Sequence, residues 1–282
     1  MKFIINASKK KTGTTFVYEI FKKNEKVLQD IYVPVIKEWY VFPRISDGYF
    51  NLKNHIQKST KISDLKSQRD KIFYLKIIND SYRTKIIEKI KSKNFDEVNQ
   101  LNLNRLKEII KISKHNDYFL ISDPNFLDDF NIADKKVINF LKSYEPKFFS
   151  IIRNPVNSTL SLLKMIDFRN VRNKNSLINT FNRQFNVFND LYKLKNKFSL
   201  KNILLIDFDE LIQNTYQSVM RILEYCEIQN NQNIKLVKNP NPQTYSENAD
   251  EKYIIEFLNK TYDYQENKYL FENIKKNKYL YF

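Results

Sequence analysis

A short apolar, β-favouring run at residues 3–5 stops at a polar, lysine-rich loop, and an amphipathic helix opens directly after it. Within that loop stands Gly13, one of only two glycines in 282 residues, so its placement is informative. A strand that ends in a tight loop and then starts a helix aims several backbone N–H groups and the positive end of the helix dipole at one spot, where an anion is favoured. Lys11 adds a charge there, and the hydroxyls of Thr14 and Thr15 add two donors. The Walker pattern needs a glycine five residues ahead of a Gly-Lys pair, with Ser or Thr after the lysine. Here the lysine precedes the glycine, which weakens a kinase or ATPase reading.

A second segment repeats the logic. Residues 148–152 form an apolar strand that runs into Arg153-Asn154-Pro155, and an amphipathic helix follows with Leu160, Leu162, Leu163 and Ile166. Asn154 and Pro155 fit the cap and first helical position. That places Arg153 at the carboxyl end of a strand and Ser161 two turns into the next helix. A planar guanidinium holds a phosphate through two hydrogen bonds, and a serine hydroxyl adds a neutral donor.

Together these segments resemble the sulfotransferases that use 3′-phosphoadenosine 5′-phosphosulfate (PAPS), of the carbohydrate and bacterial type. Lys11-Thr12-Gly13-Thr14-Thr15 is similar to their 5′-phosphosulfate loop, Lys-x-Gly-Thr-Thr. Arg153 and Ser161 keep the eight-residue spacing of their 3′-phosphate site. The resemblance implies PAPS as cofactor, bound by Lys10, Lys11, Thr12, Gly13, Thr14, Thr15, Arg153 and Ser161, and no metal. Lys11 takes the catalytic lysine role by this match. The loop ahead of it is about two residues longer than usual, with Lys9 and Lys10 where Pro or Gln often stands, so Lys10 is a substitute for Lys11. By the same resemblance Glu38, in the segment Lys37-Glu38-Trp39-Tyr40, is the candidate catalytic base, with Tyr40 lining the acceptor cleft. His55 is held in reserve, and His115 reads as a surface loop residue.

Residues 202–211, an apolar strand closing in Asp207-Phe208-Asp209-Glu210, resemble a third recurrent segment of these enzymes. The acidic turn is read as structural, with a Walker-B carboxylate at Asp207 or Asp209 as the rival. The glycine-containing phosphate tail of the cytosolic small-molecule enzymes is absent, since no glycine follows Gly48. This favours a glycan or glycolipid as acceptor of the sulfuryl group. The competing functions are a P-loop kinase or NTPase and a non-catalytic basic module that binds polyanions.

The remaining limits come from composition. At 42% hydrophobic and 15% aromatic the chain is ample for a core. Strands alternating with helices imply an α/β, P-loop-containing, three-layer fold with a central parallel sheet flanked by helices. One domain over residues 1–282 is expected, with a helical insertion at about 51–114, where apolar residues recur at helical spacing without evident chemistry. The formal charge of +16 and pI near 9.5 come from lysines spread along the chain amid abundant Asn and Ile. Coding bias explains that pattern better than a dedicated polyanion surface, and no nucleic-acid partner is expected. Cys226 is the sole cysteine and reads as core. No run of eighteen apolar residues and no signal-peptide core occur, so a cytoplasmic protein without a membrane span is expected.

Overall fold

The structure, a computed structural model, describes residues 1–35, 61–77, 80–113, 115–130, 133–166, 174–228, 234–237, 249–263, 265 and 268–282. The first strand, β1 (Lys2–Asn6), leads through a loop into α1 (Thr14–Lys23), and β2 (Ile31–Tyr32) follows. Among the described residues, three α-helices follow: α2 (Gln68–Ile77), α3 (Asp80–Lys91) and α4 (Phe95–Ile110). The central stretch is β3 (Tyr118–Ile121), α5 (Phe126–Asp129), α6 (Lys135–Lys142), β4 (Lys147–Ile152) and α7 (Pro155–Ile166). After α8 (Lys174–Phe185) and α9 (Val187–Phe198) come β5 (Leu204–Asp207), α10 (Phe208–Gln213), α11 (Thr215–Tyr225), α12 (Ala249–Asp263), α13 (Lys268–Asn277) and β6 (Tyr279–Tyr281).

The strands form one sheet in the order β2-β3-β1-β4-β5-β6. The first five are parallel, as the alternation of strands and helices implies. β6 adds an antiparallel edge, pairing Leu280 with Leu205, which the sequence did not signal. Successive side chains of a strand point to opposite faces, and the core divides accordingly. Phe3, Ile5, Phe119, Ile121, Phe148 and Leu205 pack against α4, α6, α7, α9 and α13 on one face. Ile4, Leu120, Phe149, Ile151, Leu204 and Ile206 pack against α1 and α11 on the other. Three layers result. Only Asn186 separates α8 from α9.

From β1 the chain passes over β3 to reach β2, whereas from β4 it moves the opposite way to β5. The connections of these adjacent strands therefore diverge, and a crevice opens between their carboxyl ends, where open α/β sheets bind ligands. Among the described residues no helix is long and apolar enough to cross a membrane.

Candidate active site

The loop from β1 to α1 lies at that crevice and is braced from below by a buried polar chain. The Ala7 N–H donates to the Phe149 carbonyl at 2.8 Å, and Ser150 Oγ donates to the Ala7 carbonyl at 2.9 Å. Ser8 Oγ accepts from the Ile151 N–H at 2.7 Å and donates to Asn6 Oδ1. Asn6 Nδ2 in turn donates to Ser122 Oγ at 3.4 Å, at the end of β3. Side chains at the ends of three neighbouring strands thus fix where the loop begins.

Two residues of the loop take the left-handed backbone region, Lys11 at φ 64° and Gly13 at φ 90°. A Cβ on Gly13 would lie 3.2 Å from Leu211 Cδ2 and 3.3 Å from Phe208 Cε2, so both conformation and space call for glycine. Gly13 occupies the position before α1 and supplies no side-chain cap, and the first turn holds no acidic residue. By contrast α4, α6 and α10 are capped by Asn94, Asp134 and Asp207, and Asn154 Oδ1 accepts from Val156 N–H at 2.9 Å at the start of α7. An amino terminus with no carboxylate or amide of its own suits an anion from outside.

Arg153 follows β4 directly. Its Nη1 donates to the Lys11 carbonyl at 2.9 Å, and its guanidinium lies 4.3 Å from the centre of the Phe208 ring. The structure therefore brings the loop and Arg153 together at one edge of the sheet. Lys10, Lys11, Gly13, Thr15 and Arg153 are partly accessible there, whereas Thr12, Thr14 and Ser161 are buried. Thr12 Oγ1 donates to the Lys9 carbonyl at 2.7 Å, bracing the turn. Ser161 sits inside α7, as its spacing from Arg153 implied. Glu38, Lys37, Tyr40 and His55 lie outside the described residues. His115 is exposed near the amino end of β3, on the opposite edge of the sheet.

Asp207 Oδ2 accepts the Asp209 and Glu210 N–H groups at 2.9 and 3.1 Å. Burial pushes its carboxyl above the ordinary range, against the pull of those two amides. Its oxygens serve a helix start, in keeping with a structural acidic turn. Among the described residues no cluster of His, Cys, Asp and Glu is placed to hold a metal ion.

Sequence reasoning missed Phe208 and the role of Lys9. Phe208 comes immediately after a buried strand at the same edge as the loop, which was an available signal. For Lys9 the loop itself gave none. Its Nζ turns inward to Asp128 Oδ1 and Asp190 Oδ2, each at 2.6 Å, and the side chain is 3% exposed. Arg183 Nη2 meets the other oxygen of Asp128 at 2.6 Å. Burial pushes the Asp128 carboxyl up, but Lys9 and Arg183 outweigh it and hold the group below its ordinary 3.8.

A family profile for the sulfotransferase domain matches residues 2–282. The chain belongs to the sulfotransferase domain family. It is accordingly a PAPS-dependent sulfotransferase, PAPS being the general donor of that family. Two solved structures are similar to it at low identity. The sulfotransferase domain from the Synechococcus PCC 7002 olefin synthase has 11% identity and a TM-score of 0.47, with 94% of each chain covered. The sulfotransferase domain from the curacin biosynthetic pathway has 11% identity and a TM-score of 0.45, covering 92% of this chain and 97% of that one. No curated protein sequence matches the sulfotransferase significantly.

Proposed function

We propose that this sulfotransferase binds the 5′-phosphosulfate of PAPS on residues 10–15 and the 3′-phosphate with Arg153 and Ser161, and transfers the sulfuryl group to an acceptor hydroxyl or amine. The observation that carries the proposal is the Arg153–Lys11 bond, which joins the two phosphate-binding segments at the mouth of the β1–β4 crevice. The uncapped start of α1 and the left-handed turn at Lys11 and Gly13 suit a phosphate approached by backbone amides. When bound, the donor supplies the activated sulfuryl group. Lys11, Thr14 and Thr15 stabilise the charge that develops on the departing 5′-phosphate oxygens. Lys10 is the alternative lysine for that role. Glu38 removes the acceptor proton. The engagement of Asp207 with two backbone amides speaks against a kinase-like use of that carboxylate.

Residues 1–282 serve as one catalytic unit in this reading, with 51–114 a helical insertion on the acceptor side, of which α2, α3 and α4 are the main described part. A glycan or glycolipid is the acceptor class we favour, because the chain has no glycine after Gly48 from which to build the phosphate tail of the small-molecule enzymes.

The test is transfer of labelled sulfate from PAPS to a panel of glycan, glycolipid, phenolic and amine acceptors. Lys11→Ala or Lys10→Ala is expected to lower turnover by about a hundredfold or more, the scale of losing one preorganised donor. Glu38→Gln is expected to cost about 10²–10⁴ in kcat, as for a general base. Undiminished transfer in all three variants would contradict the assignment.

A further inference from the structure

Lys9 stands two residues ahead of Lys11, in a loop read for its cations, yet it is directed away from the crevice. Its ammonium is almost fully buried between Asp128 of α5 and Asp190 of α9, at 2.6 Å from each. Burying an ammonium is costly unless close counter-charges and good geometry offset the lost hydration. Two carboxylates supply that here. With Arg183 on Asp128 the cluster holds two cations and two anions.

The position matters because the loop straddles the sheet. On one side it continues as α1, which packs on the face carrying Ile4. On the other side Lys9 reaches toward the layer in which Leu191 of α9 and Leu127 of α5 pack on Phe3 and Ile5. The Lys9 carbonyl accepts from Thr12 Oγ1 at 2.7 Å, so the anchored residue also closes the turn that contains Lys11. The Lys11 carbonyl then receives Arg153. A continuous chain of contacts runs from Asp128 and Asp190 through Lys9 and Thr12 to the two phosphate-binding segments. Without the ammonium, only Arg183 on Asp128 would offset these two largely buried carboxylates beneath a site meant for anions.

We propose that Lys9 is a positioning residue of the donor site, not a phosphate ligand: its buried pairs with Asp128 and Asp190 hold the loop in its anion-binding shape and, together with Arg183, neutralise two carboxylates beside the site. The proposal rests on the donor reading given above.

The test variant is Lys9→Met combined with Asp190→Asn. Asp128 keeps Arg183 as its partner, so the cluster stays neutral when Lys9 and the Asp190 charge are removed together. Binding of adenosine 3′,5′-bisphosphate is measured by calorimetry, and donor and acceptor KM by sulfate transfer, with circular dichroism to establish folding. The expected result is bisphosphate affinity lower, and donor KM higher, by about tenfold or more, the scale of a misplaced binding group, with acceptor KM unchanged. Leu141→Ala removes buried side-chain volume from α6 and serves as the destabilised control. It is expected to bind the bisphosphate as the wild type does. A folded double variant with wild-type affinity and donor KM overturns the proposal, as does a fall in kcat with donor KM unchanged. Asp190→Asn alone, which leaves Lys9 on Asp128, is the milder arm. A donor KM raised about threefold, the worth of one buried hydrogen bond, supports the anchor and an unchanged one contradicts it. Absence of bisphosphate binding in the wild type overturns the donor reading itself and this proposal with it.

Discussion

Arg153 Nη1 and the Lys11 carbonyl oxygen are 2.9 Å apart, a contact between residues 142 positions apart in the chain. One charge-assisted bond therefore ties the end of β4 to the turn ahead of α1. Arginine has five N–H donors in a rigid fork, so one side chain can hold a carbonyl and a phosphate at once. Lysine offers a point charge on a flexible stem. Arg153→Lys is expected to weaken bisphosphate binding by about tenfold despite keeping the charge, as read by calorimetric titration. Full affinity in the lysine variant would mean that charge alone matters at this position.

At Gly13 the backbone and its surroundings make the same demand. With φ at 90° and a new methyl group 3.2 Å from Leu211 Cδ2, Gly13→Ala must strain the turn or displace α10. A stability loss of about 1–3 kcal/mol is expected in urea unfolding, the cost of a residue held in a poorly populated conformation. Donor binding should fall with it, because the same turn presents the amides of α1. An alanine variant as stable and as tight as the wild type would show that the left-handed turn is dispensable.

Asp207 separates two chemistries. Asparagine caps a helix about as well as aspartate, and burial already holds the Asp207 carboxyl above its ordinary 3.8. A carboxyl raised in the fold binds its proton more tightly there than in the unfolded chain. Its contribution to stability is therefore greatest at low pH and declines as pH rises through the folded value. Asp207→Asn should accordingly be neutral or slightly stabilising at pH 7, with activity retained, while Asp207→Ala loses about 1 kcal/mol of cap. Collapse of activity in the asparagine variant with the fold intact would point to a catalytic carboxylate.

The Lys9 cluster gives the opposite pH dependence. Asp128 is held below its ordinary 3.8, so the stability it confers is present above that pH and is lost as pH falls through the lower folded value. Melting temperatures of wild type and Asp128→Asn should differ most at neutral pH and converge as pH falls below about 4, the unfolded aspartate range. A gap that is constant from pH 7 to pH 3 would remove Asp128 from the charge network.

Much of this was legible because it is local. The apolar run at residues 3–5, the scarce glycine and the Asn-Pro pair each specify their own neighbourhood, and Asn154 caps α7 as read. The parallel sheet between helical layers followed from the alternation of strands and helices, whereas the strand order did not. What escaped depends on partners distant in sequence. Lys9 finds Asp128 and Asp190 at separations of 119 and 181 residues, and nothing adjacent to it distinguishes a lysine that turns inward from two that stay at the edge. β6 escaped for a related reason: three residues after a helix carry too short a pattern, and only the open side of β5 makes them a strand. Thr12 read as one more cofactor-binding residue of the loop, and the bond of its Oγ1 to the Lys9 carbonyl three residues back braces the turn.

The central claim is that one crevice holds both phosphates of the sulfate donor. It is tested most directly by calorimetric titration of the nucleotide-free protein with adenosine 3′,5′-bisphosphate, against ATP with magnesium, in wild type and Arg153→Ala. Metal-independent binding of the bisphosphate at about micromolar Kd, equivalent to roughly 8 kcal/mol, is predicted for the wild type and its loss for the variant. No bisphosphate binding, with ATP bound instead, would contradict the account.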